Sequence, residues 1–413
     1  MRLLKKICKI LGCILGGIFG VEIILYLMAP IYSFPEPQPF QGDLFLNPYQ
    51  NLDSAHWRKA NFHFHTRAWG GLTSGRHNTH QAFYDTYHQL GYDAPQISNY
   101  QSIDHFYQDS AFFVPTYEHG FGIRKKHQML IGAKKVLWFD YSLFQNLNHK
   151  QHILNLLRPK SDIVAIAHPD WEGGYSPEHM KYLSNYDLIE VLDNNWRSVP
   201  QWDAALSSGH PAYILSDDDA HDIADPYQIH RCLTYIHSPS LEGKNLVKAL
   251  RAGQAFGAEI YMLDGETFEQ KIIHSKEIPR LNSVRMTGDT LCVSVSQKAF
   301  KISFIGQDGK IRKNIYLNDQ ACYAFKPWDT YIRTEITFIV NYAYPKVGQG
   351  TKFYLNPVFR YMGKIPENTL RAAYDPVRTW SFRIIGGSSL IFALMMIWIT
   401  KRINKLKKPE NAV

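Results

Sequence analysis

Cysteine is scarce in this chain. Its 413 residues contain five, none spaced C-x-x-C, so a thiolate zinc site is excluded. Cys8 and Cys13 lie in an apolar N-terminal stretch. Cys292 and Cys322 could pair in an oxidising compartment, but isolated buried thiols are the favoured expectation. There is no G-x-x-x-x-G-K-[ST] loop to cradle a nucleotide phosphate and no G-x-S-x-G elbow to present a serine. Internal repeats and low-complexity tracts are also missing. A composition 45% hydrophobic and 14% aromatic supports a packed core rather than disorder.

The body of the chain has no excess of charge. The net charge is +8. Arg2, Lys5, Lys6 and Lys9 supply +4 of it, and Lys401, Arg402, Lys405, Lys407 and Lys408 against Glu410 supply the other +4. What lies between is neutral, without the polybasic footprint that nucleic acid requires.

Each basic cluster flanks an apolar run. Leu11 to Tyr32 is apolar apart from Glu22 and glycines, and Ile384 to Thr400 has no charge. Both suit a bilayer span, and lysine and arginine favour the cytoplasmic side. The expected topology is a two-pass membrane protein with both termini cytoplasmic and the body outside. A cleaved signal peptide is the rival for the first run. Ile10-Leu11-Gly12-Cys13 has the look of a lipoprotein box, but most of the apolar stretch follows the cysteine instead of preceding it.

Five segments are expected. Residues 1–32 are a tail and span, and 33–55 a linker with closely spaced Pro35, Pro37 and Pro39. In 56–258, short β-branched runs alternate with helical patterns, as in an α/β barrel-like domain. Residues 259–375 alternate in the manner of a small antiparallel β-sandwich, and 376–413 are the second span and tail. Of 18 histidines, 17 fall between His56 and His237, which places the chemistry in the barrel-like part.

Three short motifs there read as one metal site: N-F-H-F-H-T (Asn61 to Thr66), A-H-P (Ala167 to Pro169) and S-D-D-D-A-H (Ser216 to His221). Each follows a short β-type run, and strand C-terminal ends converge on one face of a βα barrel. His63 and His65, two apart, point to one side of a strand, and Asp219 and His221 repeat the spacing. His168 follows another strand. Glu118 follows Phe112 to Pro115.

The order H-x-H, glutamate, H-x-x-x-I-G, A-H-P, D-A-H resembles the PHP (polymerase and histidinol phosphatase) family of metal-dependent hydrolases over roughly residues 56–258. Y-I-R (Tyr331 to Arg333) and N-P-V (Asn356 to Val358) resemble its carbaryl-hydrolase-like members. The resemblance implies a distorted βα barrel and divalent zinc, manganese or iron held by His63, His65, Glu118, His127, His168, Asp219 and His221, with Glu118 bridging. His127 is preferred over His119 as the central ligand. Asp217 and Asp218 are expected to support ligands or shape turns. Two departures reduce the site to one or two metals. Asn99 and Tyr100 stand where T-D-H is usual, and the loop Thr66 to Gly75 has no aspartate. Asp104 and His105 are out of register with the missing pair.

The expected activity is hydrolysis of an ester, foremost a phosphoester, by metal-activated water. The alternatives are a carboxylic-ester or amide hydrolase, and an inactive binding module of the same fold. Arg67 would neutralise a phosphate, Tyr100 would donate a hydrogen bond to substrate, and His168 or His221 would protonate the leaving group. The expected partners are the bilayer and a small or envelope-linked ester.

The topology is checked with reporter fusions. A fusion after about residue 60 should report from outside the cytoplasm and one after residue 405 from inside. A cytoplasmic signal from the first would refute the arrangement.

Overall fold

The computed structural model describes residues 2–72, 75–339, 350–364 and 371–406. Lys407, Lys408 and Glu410 of the basic tail lie outside these. Long helices, Arg2–Met28 and Pro376–Leu406, form the two ends, both apolar and long enough to cross a membrane. The first stops before Pro30, whose ring disfavours helix in the residue ahead of it. The second extends past the uncharged run Ile384 to Thr400, because the flanking arginines and lysines are good helix formers.

The segment after the first helix is extended but not loose. In it, β1 (Tyr32–Ser33) pairs with Ala373 and Tyr374 just before the second helix. Ile31 N–H donates to Thr379 Oγ1 at 2.9 Å, and Arg383 donates to the Met28 carbonyl at 2.6 Å, so the two helices leave the body side by side. Next, β2 (Leu44–Leu46) joins the body's sheet at Phe359 to Tyr361, and Phe40 stacks on Phe359 at 4.4 Å. Burial of these aromatics ties down a stretch whose prolines alone suggested only a spacer.

The fold is mixed α/β. Seven strands surround the first core: β3 (Trp57–Asn61), β4 (Ala94–Pro95), β5 (Thr116–His119), β6 (Gln128–Ala133), β7 (Ser161–Ile166), β8 (Leu188–Leu192) and β9 (Tyr213–Ser216). The strand expected at Phe112 to Pro115 forms one step later, as β5. The run L-I-E-V-L of β8 is buried throughout, as a strand covered on both faces must be. β5 to β9 form one open sheet in chain order, with β6 antiparallel to both neighbours and β7, β8 and β9 parallel. β3 and β4 belong to a second sheet. Single parallel bridges, Tyr100 with Glu118 and Phe64 with Ala220, join the two sheets. Among the described residues there is thus no continuous closed barrel ladder, because a two-residue β4 and single bridges stand where long strand pairs would be needed.

The second sheet also absorbs what the sequence suggested was a separate sandwich. Its strands are β10 (Cys232–His237), β11 (Ala255–Glu259), β12 (Leu281–Thr287), β13 (Thr290–Gly306), β14 (Lys310–Ala324), β15 (Tyr331–Thr337) and β16 (Lys352–Tyr361). They continue from β3 in the order β10, β11, β16, β15, β13, β12, with β14 on β13. The β-rich part therefore adds strands to an existing edge and shares its core with the helix His80–Gln89, through Phe83 and Tyr87. Cys292 and Cys322 stand opposite one another on the hairpin β13–β14 and form a disulfide. This corrects the expectation of free thiols, since directly opposed antiparallel residues lie close enough to bond.

The two short motifs of the β-rich part are clamps. Arg333 donates from Nε and Nη2 to both oxygens of Asp203 at 2.7 and 2.8 Å, across to the helix Val199–Ser207. The Asn356 side chain accepts from Ile214 N–H and donates to the Gly253 and Ala255 carbonyls. Asp203→Ala removes two charge-assisted hydrogen bonds from a guanidinium whose side chain is 2% exposed and leaves it Glu335 as its carboxylate partner, so it should cost about 1.5–3 kcal/mol in denaturant unfolding. An Asp203→Leu, Arg333→Met pair should recover most of that. A loss below about 1 kcal/mol for Asp203→Ala would show that the bridge behaves as a surface pair.

Candidate metal centre

Past β3 the chain stays extended. His65 N–H donates to the Ala220 carbonyl at 3.1 Å, and Phe64 N–H to Ser98 Oγ at 3.0 Å. Phe62 and Phe64 are fully buried in the two hydrophobic cores, so the alternating His63 and His65 face a shared interior point. Glu118 arrives on β5, and His127 just before the antiparallel β6, so the pairing of His119 with Gln128 sets His127 beside Glu118. Gly120, at φ +128°, permits this: a Cβ there would fall 2.5 Å from His127 Cδ2. His168 and Asp219 follow β7 and β9 in left-handed backbone, at φ 26° and 46°. Such strain costs of order 1–3 kcal/mol per residue and concentrates at functional sites.

The side chains form two groups that share one carboxylate. Glu118 Oε2 lies 3.3 Å from His63 Nε2 and 3.1 Å from His65 Nε2, and Asp219 Oδ1 lies 3.2 and 3.3 Å from the same nitrogens. Glu118 Oε1 contacts His127 Nδ1 and, at 3.1 Å, His168 Nε2. Within each group the ligand atoms lie within 4.8 Å of one another. His221 stands at the edge, its Nε2 3.5 Å from Asp219 Oδ1 and its ring stacked on His65 at 4.6 Å.

A cation fits these donors. His63 Nε2, His65 Nε2, Glu118 Oε2 and Asp219 Oδ1 are buried without hydrogen-bond partners, and lone pairs left unsatisfied at one point are what a metal ion fills. Imidazole and carboxylate together suit zinc, manganese or iron. Burial alone would push the Glu118 carboxyl up, but the His127 and His63 imidazoles hold it well below the usual range. Burial resists a charge on His63, while Asp219, Glu190 and Glu118 raise its affinity for a proton or a cation.

Supporting groups hold the ligands in place. Glu190 Oε1 bonds His63 Nδ1 at 2.9 Å, and its Oε2 accepts from His168 N–H at 2.8 Å, so one carboxylate orients two imidazoles. Asp217 accepts from Phe62 N–H, and Asp218 from the N–H groups of His230, Arg231 and Cys232. Both therefore anchor backbone. Burial, then the charge of Glu190, pushes the Asp193 carboxyl up to about 7.

The remaining candidates are placed as follows. His119 engages Gln128 Oε1 and the Phe139 carbonyl with its two nitrogens. Arg67 is exposed on the loop after His65, outside both groups. Tyr100 stacks on His65 at 4.3 Å. Asn99 pairs with Thr66 through Thr66 N–H and Oγ1, and Asp104 binds His80 at 2.8 Å, so neither supplies a further ligand. Glu190 went unnoticed in the sequence, although a lone carboxylate inside L-I-E-V-L was a usable signal. A cavity of about 490 Å³ beside His127 and Tyr100 is lined by Trp69, Phe121, Lys125 and Trp138. No local pattern marked these loop residues.

No family model and no curated protein matches the chain. Among solved structures, one match is the crystal structure of a two-domain protein from Bacteroides vulgatus containing a predicted PHP-like metal-dependent phosphoesterase. It is 15% identical, covers 78% of this chain and 99% of that one, and superposes with a TM-score of 0.36. A likeness that loose leaves fold and function to be argued from the residues.

The shared carboxylate makes a graded prediction for metal content measured on the full chain in detergent. Glu118→Ala should remove both ions, and His63→Ala with His65→Ala should remove one. Glu190→Gln should weaken binding about 10–100-fold. Full metal content in a folded Glu118→Ala protein would refute the shared site.

Proposed function

We propose that the chain is a membrane-anchored, metal-dependent phosphoesterase of the PHP type. The observation that carries this reading is Glu118, whose two oxygens face two separate histidine groups at the side of an aromatic pocket. The motif order H-x-H, glutamate, A-H-P, D-A-H supports the family. So does the neighbour order β3, β4 and β5 to β9 in two sheets joined by single bridges, which would suit a strongly distorted barrel. Residues 56–258 would be the catalytic part, with the β-rich part clamped to it.

His63, His65, Asp219 and Glu118 would hold one divalent ion, and Glu118, His127 and His168 a second. Such ions supply Lewis-acid polarisation and lower the pKa of water toward neutrality. In the hydrolysis, a water oxygen adds to phosphorus, the bond from phosphorus to the alcohol oxygen breaks, and the alcohol departs with a proton. His221, at the edge of the cluster beside Asp219, would give that proton. Lys125 lines the pocket and offers charge to phosphoryl oxygens. Tyr100 holds His65 by stacking, and Trp69 Nε1 is tied to the Tyr100 carbonyl at 2.9 Å, which fixes the pocket wall.

The terminal helices would place the body outside the cytoplasm. A disulfide in the β-rich part agrees with an oxidising compartment. The substrate would then be an ester met in the cell envelope.

The test is a panel of phosphomonoesters, phosphodiesters and carboxylic esters. Turnover of a phosphoester should be lost on chelation and restored by zinc, manganese or iron. Glu118→Ala should lower it by at least about a thousandfold, the scale at which a whole electrostatic element is removed. Hydrolysis of carboxylic esters alone, or turnover indifferent to a chelator, would overturn the reading.

A further inference from the structure

The wall of the pocket and the end of the first terminal helix meet through one short segment. Tyr26 O–H donates to the Phe144 carbonyl at 2.8 Å and accepts from the N–H groups of Leu143 and Phe144, both at 2.9 Å. Its ring packs on Phe144 at 4.6 Å and Tyr141 at 5.2 Å. The same segment carries the pocket wall. Asp140 Oδ2 accepts from Phe121 N–H at 3.1 Å, and the Ser142 carbonyl from Ile123 N–H at 2.7 Å. Phe121, Gly122 and Trp138 line the cavity. One hydrogen-bonded layer therefore separates the cavity wall from residues at the helix end.

That wall is unusually apolar for exposed surface. Ile123 is 71% exposed and Trp138 61%, with Phe121 and Phe144 about as open. Cations interleave with them: Arg124 and Lys135 are exposed, Lys134 is exposed and paired with Asp162 at 3.3 Å, and Lys125 lines the cavity. Neither stretch 120–126 nor 134–138 contains an acid. Large exposed apolar side chains in a cluster mark a contact surface. Aromatic rings beside lysine and arginine suit the headgroup level of a bilayer with anionic lipid. Continuity with Tyr26 favours that bilayer over a protein partner, because the helix that carries Tyr26 would already cross it.

We propose that the outer side of this wall, which carries Ile123 and Phe144 outside the cavity lining, sits in the headgroup layer of the membrane crossed by the terminal helices, and that the pocket behind it takes the phosphoester of a long-chain membrane lipid. The substrate's phosphate would meet Lys125 and the metal cluster while its chains stay in the bilayer. The aromatic wall then shields the first apolar carbons from water. This rests on the phosphoesterase reading and on the helices spanning a bilayer.

The experiment uses the full chain in vesicles of phosphatidylcholine and phosphatidylglycerol. The exposed Cys8 and Cys13 are changed to serine, and a fluorophore is attached at Ile123→Cys or, on the distant hairpin, at Leu317→Cys. Nitroxide-bearing lipid should quench the first label at least threefold more than the second. Equal quenching overturns the membrane contact, whatever the enzyme does.

The second arm offers phosphomonoesters and phosphodiesters in short-chain soluble and long-chain vesicle-borne forms. Ile123→Glu with Phe144→Glu alters exposed residues that do not line the cavity. It should leave soluble turnover within twofold and lower vesicle-borne turnover at least tenfold, and Ile123→Leu with Phe144→Leu should keep both. An equal fall for both substrates, or wild-type turnover of the soluble form alone, overturns the lipid assignment. Turnover of neither form, with the Ile123 label still quenched, overturns the phosphoesterase reading and leaves the membrane contact standing.

Discussion

A carboxylate with no exposed surface stays ionised only if positive charge is brought to it, and Glu118 is such a group. Moving an isolated ion into a protein interior costs several kcal/mol even after relaxation. Here part of the cost is offset by four imidazoles from three chain segments that approach the two carboxylate oxygens. A second carboxylate, Asp219, crowds the same nitrogens. Two acids against partnerless nitrogens leave a negative, poorly satisfied interior, which a divalent cation would complete. Much of the surrounding architecture delivers these side chains to that point: single bridges where ladders would continue, a glycine where His127 must lie flat, and left-handed backbone at His168 and Asp219.

Rigidity around the point comes from groups that never reach it. Glu190 holds one histidine by its ring and another by its backbone. Asp218 gathers the turn before β10, and Asp217 the chain between His63 and β3. Farther out, Arg333 and Asn356 fasten the β-rich part to the helix and strand ends behind the site. That part is a brace built onto a sheet edge, so its stability and that of the part holding the histidine cluster are coupled through a shared sheet.

The ligand candidates were legible because metal chemistry restricts residue type. Histidine and acid at a spacing of two, after short β-type runs, have few structural uses, and the structure gathers His63, His65, Glu118, His127, His168 and Asp219 into two groups that share Glu118. His221 remained at the margin and Arg67 stayed in solvent, each two residues beyond a ligand on its loop and so farther from the strand end. Glu190 was overlooked because an acid in a buried strand looks like an exception to periodicity until its partner, His63, is seen. The disulfide was misjudged because its likelihood depends on hairpin register, and register depends on which residues of β13 and β14 face each other.

The sequence by itself determined the local quantities: two apolar helices with basic flanks, the alternation that points His63 and His65 one way, the neutral body, and the residue types able to bind a cation. Only the tertiary structure decided the shared use of Glu118, the continuous sheet in place of a separate sandwich, and the pocket beside Tyr100. The reason is physical. Periodicity and composition act over a few residues, whereas distances such as the 3.1 Å from Glu118 to His168 follow from how strands far apart in the chain pack, and packing depends on all the side chains at once.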